Sequence, residues 1–184
     1  MNDLMIRDVL RPHLMQKYGR DSIIIDELGI CQGEARVDLA VINGALHGYE
    51  IKSDRDTLVR LSKQAEFYNR VFDTVTIIAG SCHLENVCNI IPDWWGIIEA
   101  RFNDRKVELI SIRSPLKNEN VNPFSVAQLL WREEALELLK SKGLEKGYVS
   151  KSRTKIWGRI AETISLSELQ TYVVHRLKSR EKWR

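Results

Sequence analysis

The order of periodicities along the chain predicts an α/β fold with an α+β-like mixed sheet: helix, three antiparallel strands, helix, strand, then a C-terminal helical extension. Three observations carry this reading. Residues 3 to 18 place Ile6, Leu10 and Leu14 at helical spacing, "ARVDLAVI" and "ALHGYEIKS" flank Asn43-Gly44 as a hairpin, and "TVTIIAG" is an apolar run short enough for a buried strand.

The elements follow in order. Pro12 predicts a kink or a late start in the first helix, and Gly19 closes it. "SIIIDELGI" (residues 22 to 30) is a β-branched run and reads as the first strand. Asp54 and Asp56 offer N-caps for a second helix whose stripe, Leu58, Leu61, Ala65, Tyr68 and Phe72, runs to about residue 72. Residues 83 to 91 form a helix that Pro92 stops, and "WGIIEARF" and "VELISIRS" are two strands around the polar turn at 103 to 106. Asn122-Pro123 opens what should be the longest helix, running to Gly143. Two more helices span 154 to 164 and 165 to 180, the second opened by the capping box Ser165-Leu-Ser-Glu168.

A chain of 184 residues with 43% hydrophobic content can bury one core of ordinary size or one core with a small appendage. The division expected is a core at 1–115 and a basic helical extension at 116–184. No run approaches the roughly 18 apolar residues of a membrane span, and the opening residues lack the basic-then-apolar order of a secretory signal. A cytoplasmic protein with no membrane contact is the expectation. Cys31, Cys82 and Cys88 form neither a CxxC nor a metal-ligand spacing with histidine, so reduced thiols are expected. His13, His47, His83 and His175 are scattered and carry no catalytic role.

Residues 140 to 184 hold 12 Lys or Arg against 4 Asp or Glu, whereas the first 139 hold 16 against 21. An acidic front joined to a basic back suits a metal site beside a polyanion-binding surface, although a basic tail is often only a solvated face. Lys151, Arg153, Lys155 and Arg159 are the candidate phosphate contacts, with Trp157 among them as a candidate for stacking on bases.

Within the hairpin, Asp38 lies on one strand and Glu50-Ile51-Lys52 on the other. Two carboxylates from neighbouring strands supply hard oxygen ligands for Mg²⁺, and Lys52 beside them can orient or deprotonate an attacking water. Phosphodiester hydrolysis needs those parts. The alternative is a surface ion couple that contributes almost nothing.

Asp38 followed by Glu50-Ile51-Lys52, in this order of elements, resembles the PD-(D/E)XK nuclease superfamily, with its restriction-endonuclease-like αβββαβ core. Gln64-Ala-Glu-Phe-Tyr68 on the next helix is similar to the Q-x-x-x-Y motif of the RecB-like branch, and an i, i+4 pair lies on one helix face. Most of the chain, with "WWG" and "AQLLWREEAL", resembles a little-characterised bacterial and phage family built on this core. The resemblance implies a Mg²⁺-dependent (or Mn²⁺-dependent) nuclease acting on DNA, with homodimerisation one assembly open to it. Asp38, Glu50 and the Ile51 carbonyl would be metal ligands, Lys52 would stand at the water, and Gln64 and Tyr68 would look into the site. Val37 stands where the motif's name-giving proline would be. An earlier acidic residue often completes such a site; Glu27 is the first candidate and Asp3 the second, either of which could instead be a surface carboxylate or an N-cap. The alternative is a catalytically inactive member of the fold that binds nucleic acid or protein.

Register makes this reading testable. A two-residue turn at Asn43-Gly44 would pair Ile42 with Ala45 and put Asp38 and Glu50 on opposite faces. The site requires a three-residue loop, Ile42-Asn43-Gly44, pairing Val41 with Ala45, or a bulge at Gly48.

Overall fold

A computed structural model describes residues 1–181. Helix α1 (Asp3–Tyr18) starts on the Asn2 side chain, which accepts the Met5 N–H, and ends at Gly19, whose φ of 78° lets its N–H reach the Met15 carbonyl. It runs through Pro12. Strands β1 (Ile23–Ile30), β2 (Ala35–Ile42) and β3 (Leu46–Lys52) follow, then α2 (Leu61–Tyr68), β4 (Thr74–Gly80), α3 (Leu84–Ile90), β5 (Gly96–Asn103), β6 (Lys106–Arg113) and the helices α4 (Pro123–Ala127), α5 (Arg132–Ser141), α6 (Arg153–Thr163) and α7 (Leu166–Ser179). The six strands stand in sequence order in one sheet. β1, β2 and β3 are antiparallel, β3, β4 and β5 parallel, and β6 antiparallel to β5. The expected mixed α/β fold and C-terminal helical region are both present.

Three boundaries differ from expectation. The helix expected from residue 122 to 143 is two, because the backbone turns extended at Trp131 (ψ 161°). Glu134 then accepts the Trp131 N–H at 2.7 Å and starts α5 afresh. The longest helix is therefore α1. Helix α2 begins only at Leu61, since Asp56 accepts the Ser53 N–H and hydroxyl and holds the preceding segment in turns. The hairpin loop is Asn43-Gly44-Ala45, one residue later than expected, because β2 pairs with β3 from Ile42↔Leu46 to Leu39↔Tyr49. The expected two-residue alternative is absent, and the pairing retains the parity that sets Asp38 opposite Glu50.

The sheet is covered unequally. On one face α1 buries Ile6, Leu10 and Leu14 against Leu39, Val41, Tyr49, Ile51 and Ile78. On the other, one continuous core joins Val37, Ala40, Ile42, Ile77 and Ile97 to Tyr68, Trp95, Leu139, Trp157, Leu169 and Leu177. Each fully buried side chain of this size contributes roughly 1.5–3 kcal/mol. Val37 falls in the larger core while Leu39 falls in the smaller, so the two-residue alternation of β2 slips at Asp38. Opposite this slip, Glu27 has no partner in an otherwise continuous β1–β2 ladder and sits at φ 53°. Among the described residues no helix is long and apolar enough to cross a membrane.

Candidate functional site

Pairing next to Leu39↔Tyr49 would set Asp38 directly against Glu50, but the strands part there. Asp38 Oδ2 instead accepts the Ile51 N–H at 2.7 Å, taking the place of a β2 carbonyl in a continuing ladder. Its Oδ1 accepts from Arg7 at 2.9 Å, and its backbone carbonyl accepts from the same guanidinium at 3.0 Å. Arg7 also binds Asp3 Oδ2 at 2.7 Å and Glu27 Oε1 at 2.5 Å. Both carboxylates expected to complete the site therefore converge on an arginine.

Glu50 is only 1% exposed and Lys52 only 7%. Lys52 Nζ lies 2.5 Å from Glu50 Oε1 and donates to Gln64 Oε1 at 3.1 Å. Gln64 Nε2 donates to Glu50 Oε1 at 2.6 Å. The Tyr68 hydroxyl lies 2.6 Å from Glu50 Oε2 and 2.7 Å from the Arg36 carbonyl, and its one proton can serve either. Burial makes an unpaired carboxylate expensive, and these donors offset that cost. Trp95 explains the fixed position of Tyr68: the rings stack at 5.9 Å, and the indole N–H is anchored on Asn69 Oδ1 at 2.8 Å.

Burial, with the nearby Glu50 charge adding to it, pushes the Asp38 carboxyl up to about 7, against the opposing pull of the Ile51 N–H and Arg7. Burial and the Glu50 charge likewise raise the Tyr68 hydroxyl, which stays protonated as a donor. Lys52 retains a third N–H beyond the two given to Glu50 and Gln64. Asp38, Glu50, Lys52 and Gln64 all line an open cleft of about 570 Å³, joined there by Asp3, Arg7, Glu27, Arg36, Arg60, Lys63 and Phe67.

Asp38, Glu50, Lys52, Gln64 and Tyr68 are thus brought together, with Glu27 and Asp3 at the same cleft. Lys151, Lys155 and Arg159 line a separate depression beside Tyr148. Arg153 lies over the Trp157 ring, and Trp157 is 2% exposed with its N–H on the Leu130 carbonyl, so it packs and cannot stack on a base. Arg7 and Arg36 went unrecognised in the sequence. The signal for Arg7 was there, one position after Ile6 in the apolar stripe and four after Asp3, so α1 carries both to the edge of the sheet.

Asp38 and Glu50 offer the hard oxygens that Mg²⁺ prefers, and burial, with the nearby Glu50 charge second, is what raises Asp38. By donor chemistry the pair fits such an ion, with Arg7 as the resident counter-charge on Asp38. Among the described residues no three His, Cys, Asp or Glu side chains form a ready-made ligand set.

Fold and site together define a mixed α/β protein with a buried carboxylate, lysine, glutamine and tyrosine cluster in an open polar cleft. Residues 7–183 match the family described as Bacteriophage P4 protein cII, and the chain belongs to that family. Protein cII of Enterobacteria phage P4 is 28% identical over 160 residues, covering 87% of this chain and 60% of the relative. The chain therefore spans less than two thirds of that protein's length. No solved structure matches it.

Proposed function

We propose that this protein is a metal-dependent nuclease that hydrolyses DNA phosphodiester bonds at the Asp38–Glu50–Lys52 cleft. The observation carrying this is the buried Glu50, which accepts from Lys52 and Gln64 and meets the Tyr68 hydroxyl, beside Asp38 and open to a cleft. An Asp, Glu-x-Lys and Gln-x-x-x-Tyr set converging on one point, in the order α1, β1, β2, β3, α2, β4, supports kinship with the PD-(D/E)XK fold. Asp38 and Glu50, with the Ile51 carbonyl, would hold a Mg²⁺ or Mn²⁺ ion. That ion would polarise the phosphoryl oxygen and lower the pKa of an attacking water. Lys52 uses its remaining N–H to position the water, Gln64 fixes the Lys52 amine against Glu50, and Tyr68 locks the carboxylate rotamer. Arg7 holds Asp38 from the α1 side. A cytoplasmic setting agrees with the three free cysteines.

Arg7, lodged among Asp3, Glu27 and Asp38, favours a second reading: a catalytically idle member of the fold that binds nucleic acid or protein. One assay separates the two. Supercoiled, linear and branched DNA are incubated with wild-type protein, Lys52→Ala and Asp38→Asn in Mg²⁺, Mn²⁺ or EDTA. The nuclease reading expects metal-dependent cleavage that falls about 10²-fold or more in either variant. Absence of metal-dependent cleavage by the wild type on all three substrates leaves the idle reading.

A further inference from the structure

Helix α2 turns two faces outward and inward. Leu61, Ala65 and Tyr68 are buried, while Arg60, Lys63, Gln64 and Phe67, spaced i, i+3, i+4 and i+7, all line the cleft. Arg60 is the residue before the helix and already has right-handed helical dihedrals, so the stripe is continuous. Across the cleft Arg36 joins it, its backbone tied to the Glu50 cluster through the bond from the Tyr68 hydroxyl. Among the described residues, the side chains of Arg36, Arg60 and Lys63 have no hydrogen-bond or carboxylate partner, although each is exposed. Most acidic groups of the same cleft are otherwise engaged, Asp3, Glu27 and Asp38 by Arg7, Asp56 by Ser53, and Glu50 by Lys52 and Gln64, and Glu34 is the exposed carboxylate left among the described residues. The cleft is therefore divided, with paired charges near α1 and, away from it, three cations, Arg60 and Lys63 at α2 and Arg36 on β2, against the one carboxylate of Glu34.

We propose that Arg36, Arg60 and Lys63 form the surface that grips the phosphodiester backbone of a nucleic-acid strand and lays it across the Lys52 amine. This rests on the nuclease-fold reading of the site and moves the main binding surface from α6 to α2. Unpaired guanidinium forks suit phosphate oxygens, and three of these cations beside the reactive lysine set the strand's path without reading its sequence. Lys155 and Arg159 of α6 line another depression, and no cation of α6 lines this cleft.

The test is binding in EDTA, where no turnover is needed. Anisotropy of labelled duplex DNA, single-stranded DNA and RNA is followed across a salt series for the wild type and for Arg36→Ala/Arg60→Ala/Lys63→Ala. Melting curves check that these exposed substitutions leave the fold intact. The triple variant should bind at least about tenfold more weakly at low salt, and its plot of log affinity against log salt should be shallower by about 2 to 3. The charge-preserving Arg36→Lys/Arg60→Lys should keep the wild-type slope. The three probes show which nucleic acid is gripped. A wild-type slope in the alanine triple variant, or no binding of any probe by the wild type, overturns the proposal. A wild type that binds but never cleaves removes only the nuclease reading; one that cleaves while the triple variant keeps its slope removes only this one.

Discussion

Glu50 accepts from two side chains and meets a third, and Lys52 donates to two, so neither can be altered alone without stranding the other. Removing one partner of a buried pair costs about 3–5 kcal/mol, the lower end applying where a cleft admits water. Lys52→Ala should thus lose about 3 kcal/mol of stability in urea titration, and adding Glu50→Gln should restore much of it. His47 gives a second prediction at this scale. Burial, with the Lys17 charge adding to it, lowers its pKa to about 4, and Thr74 and Asn43 hold its two ring nitrogens. Because the folded value lies below the unfolded one, near 6.5, the stability of the neutral ring is fully present above that value and is lost as pH falls towards 4. Comparing wild type with His47→Asn at about pH 7.5 and about pH 5 should show roughly 2 kcal/mol of the wild-type advantage disappearing at the lower pH. Glu50, Lys52, Gln64 and Tyr68 were legible because each spacing fixes a face of a strand or helix. For Arg7 the sequence shows only its place on α1 beside Asp3, since its bond to Asp38 depends on where α1 crosses the sheet.

At the scale of elements, the β2–β3 hairpin decides whether the site exists. Deleting Ala45 would leave the two-residue turn Asn43-Gly44 with Ile42 still opposite Leu46, so the ladder is kept, with Tyr49 and Ile51 in the α1 core and Glu50 on the site face. That variant should fold with the wild-type circular dichroism spectrum, and a loss of fold would show that the three-residue loop itself is needed. Gly48 offers a second probe. A Cβ there would stand 3.0 Å from the Phe72 ring, so Gly48→Ala should cost about 1–3 kcal/mol in the urea midpoint. The sequence carried the presence of this hairpin but placed its loop one residue early, since Asn-Gly signals a turn without fixing its length. The break between α4 and α5 was illegible for a related reason. Leu129 and Leu130 are both buried within the turn itself, just before Trp131, so the apolar period runs on although the backbone does not.

For the molecule as a whole, the expected division at residue 115 meets a core shared across it. Trp157, Leu169 and Leu177 from the basic extension pack in the same cluster as Val37, Ile77 and Ile97 from the sheet. Calorimetry should therefore give one unfolding transition, and Trp157→Ala should lower that single transition by about 3–5 kcal/mol and not create a second. Two separated transitions would mean that the extension unfolds independently of the core on which it packs. The basic surplus beyond residue 140 thus overlies a structural core, and its charge says less about partners than its composition suggested.

The six strands lie in the sheet in the order in which they are made. Each strand leaving the ribosome finds the edge it needs in the strand finished just before it, so the sheet can grow by addition at one side with little search. The α1 face can close early, since its helix precedes the strands, whereas the larger apolar face, covered in part by α2 and α3, waits for the chain beyond Pro123 to be completed. During synthesis this leaves a window in which a nearly complete sheet shows part of one apolar face to solvent. A chaperone that recognises apolar surface would find its substrate in that interval, and stalling translation between β6 and α4 should lengthen it.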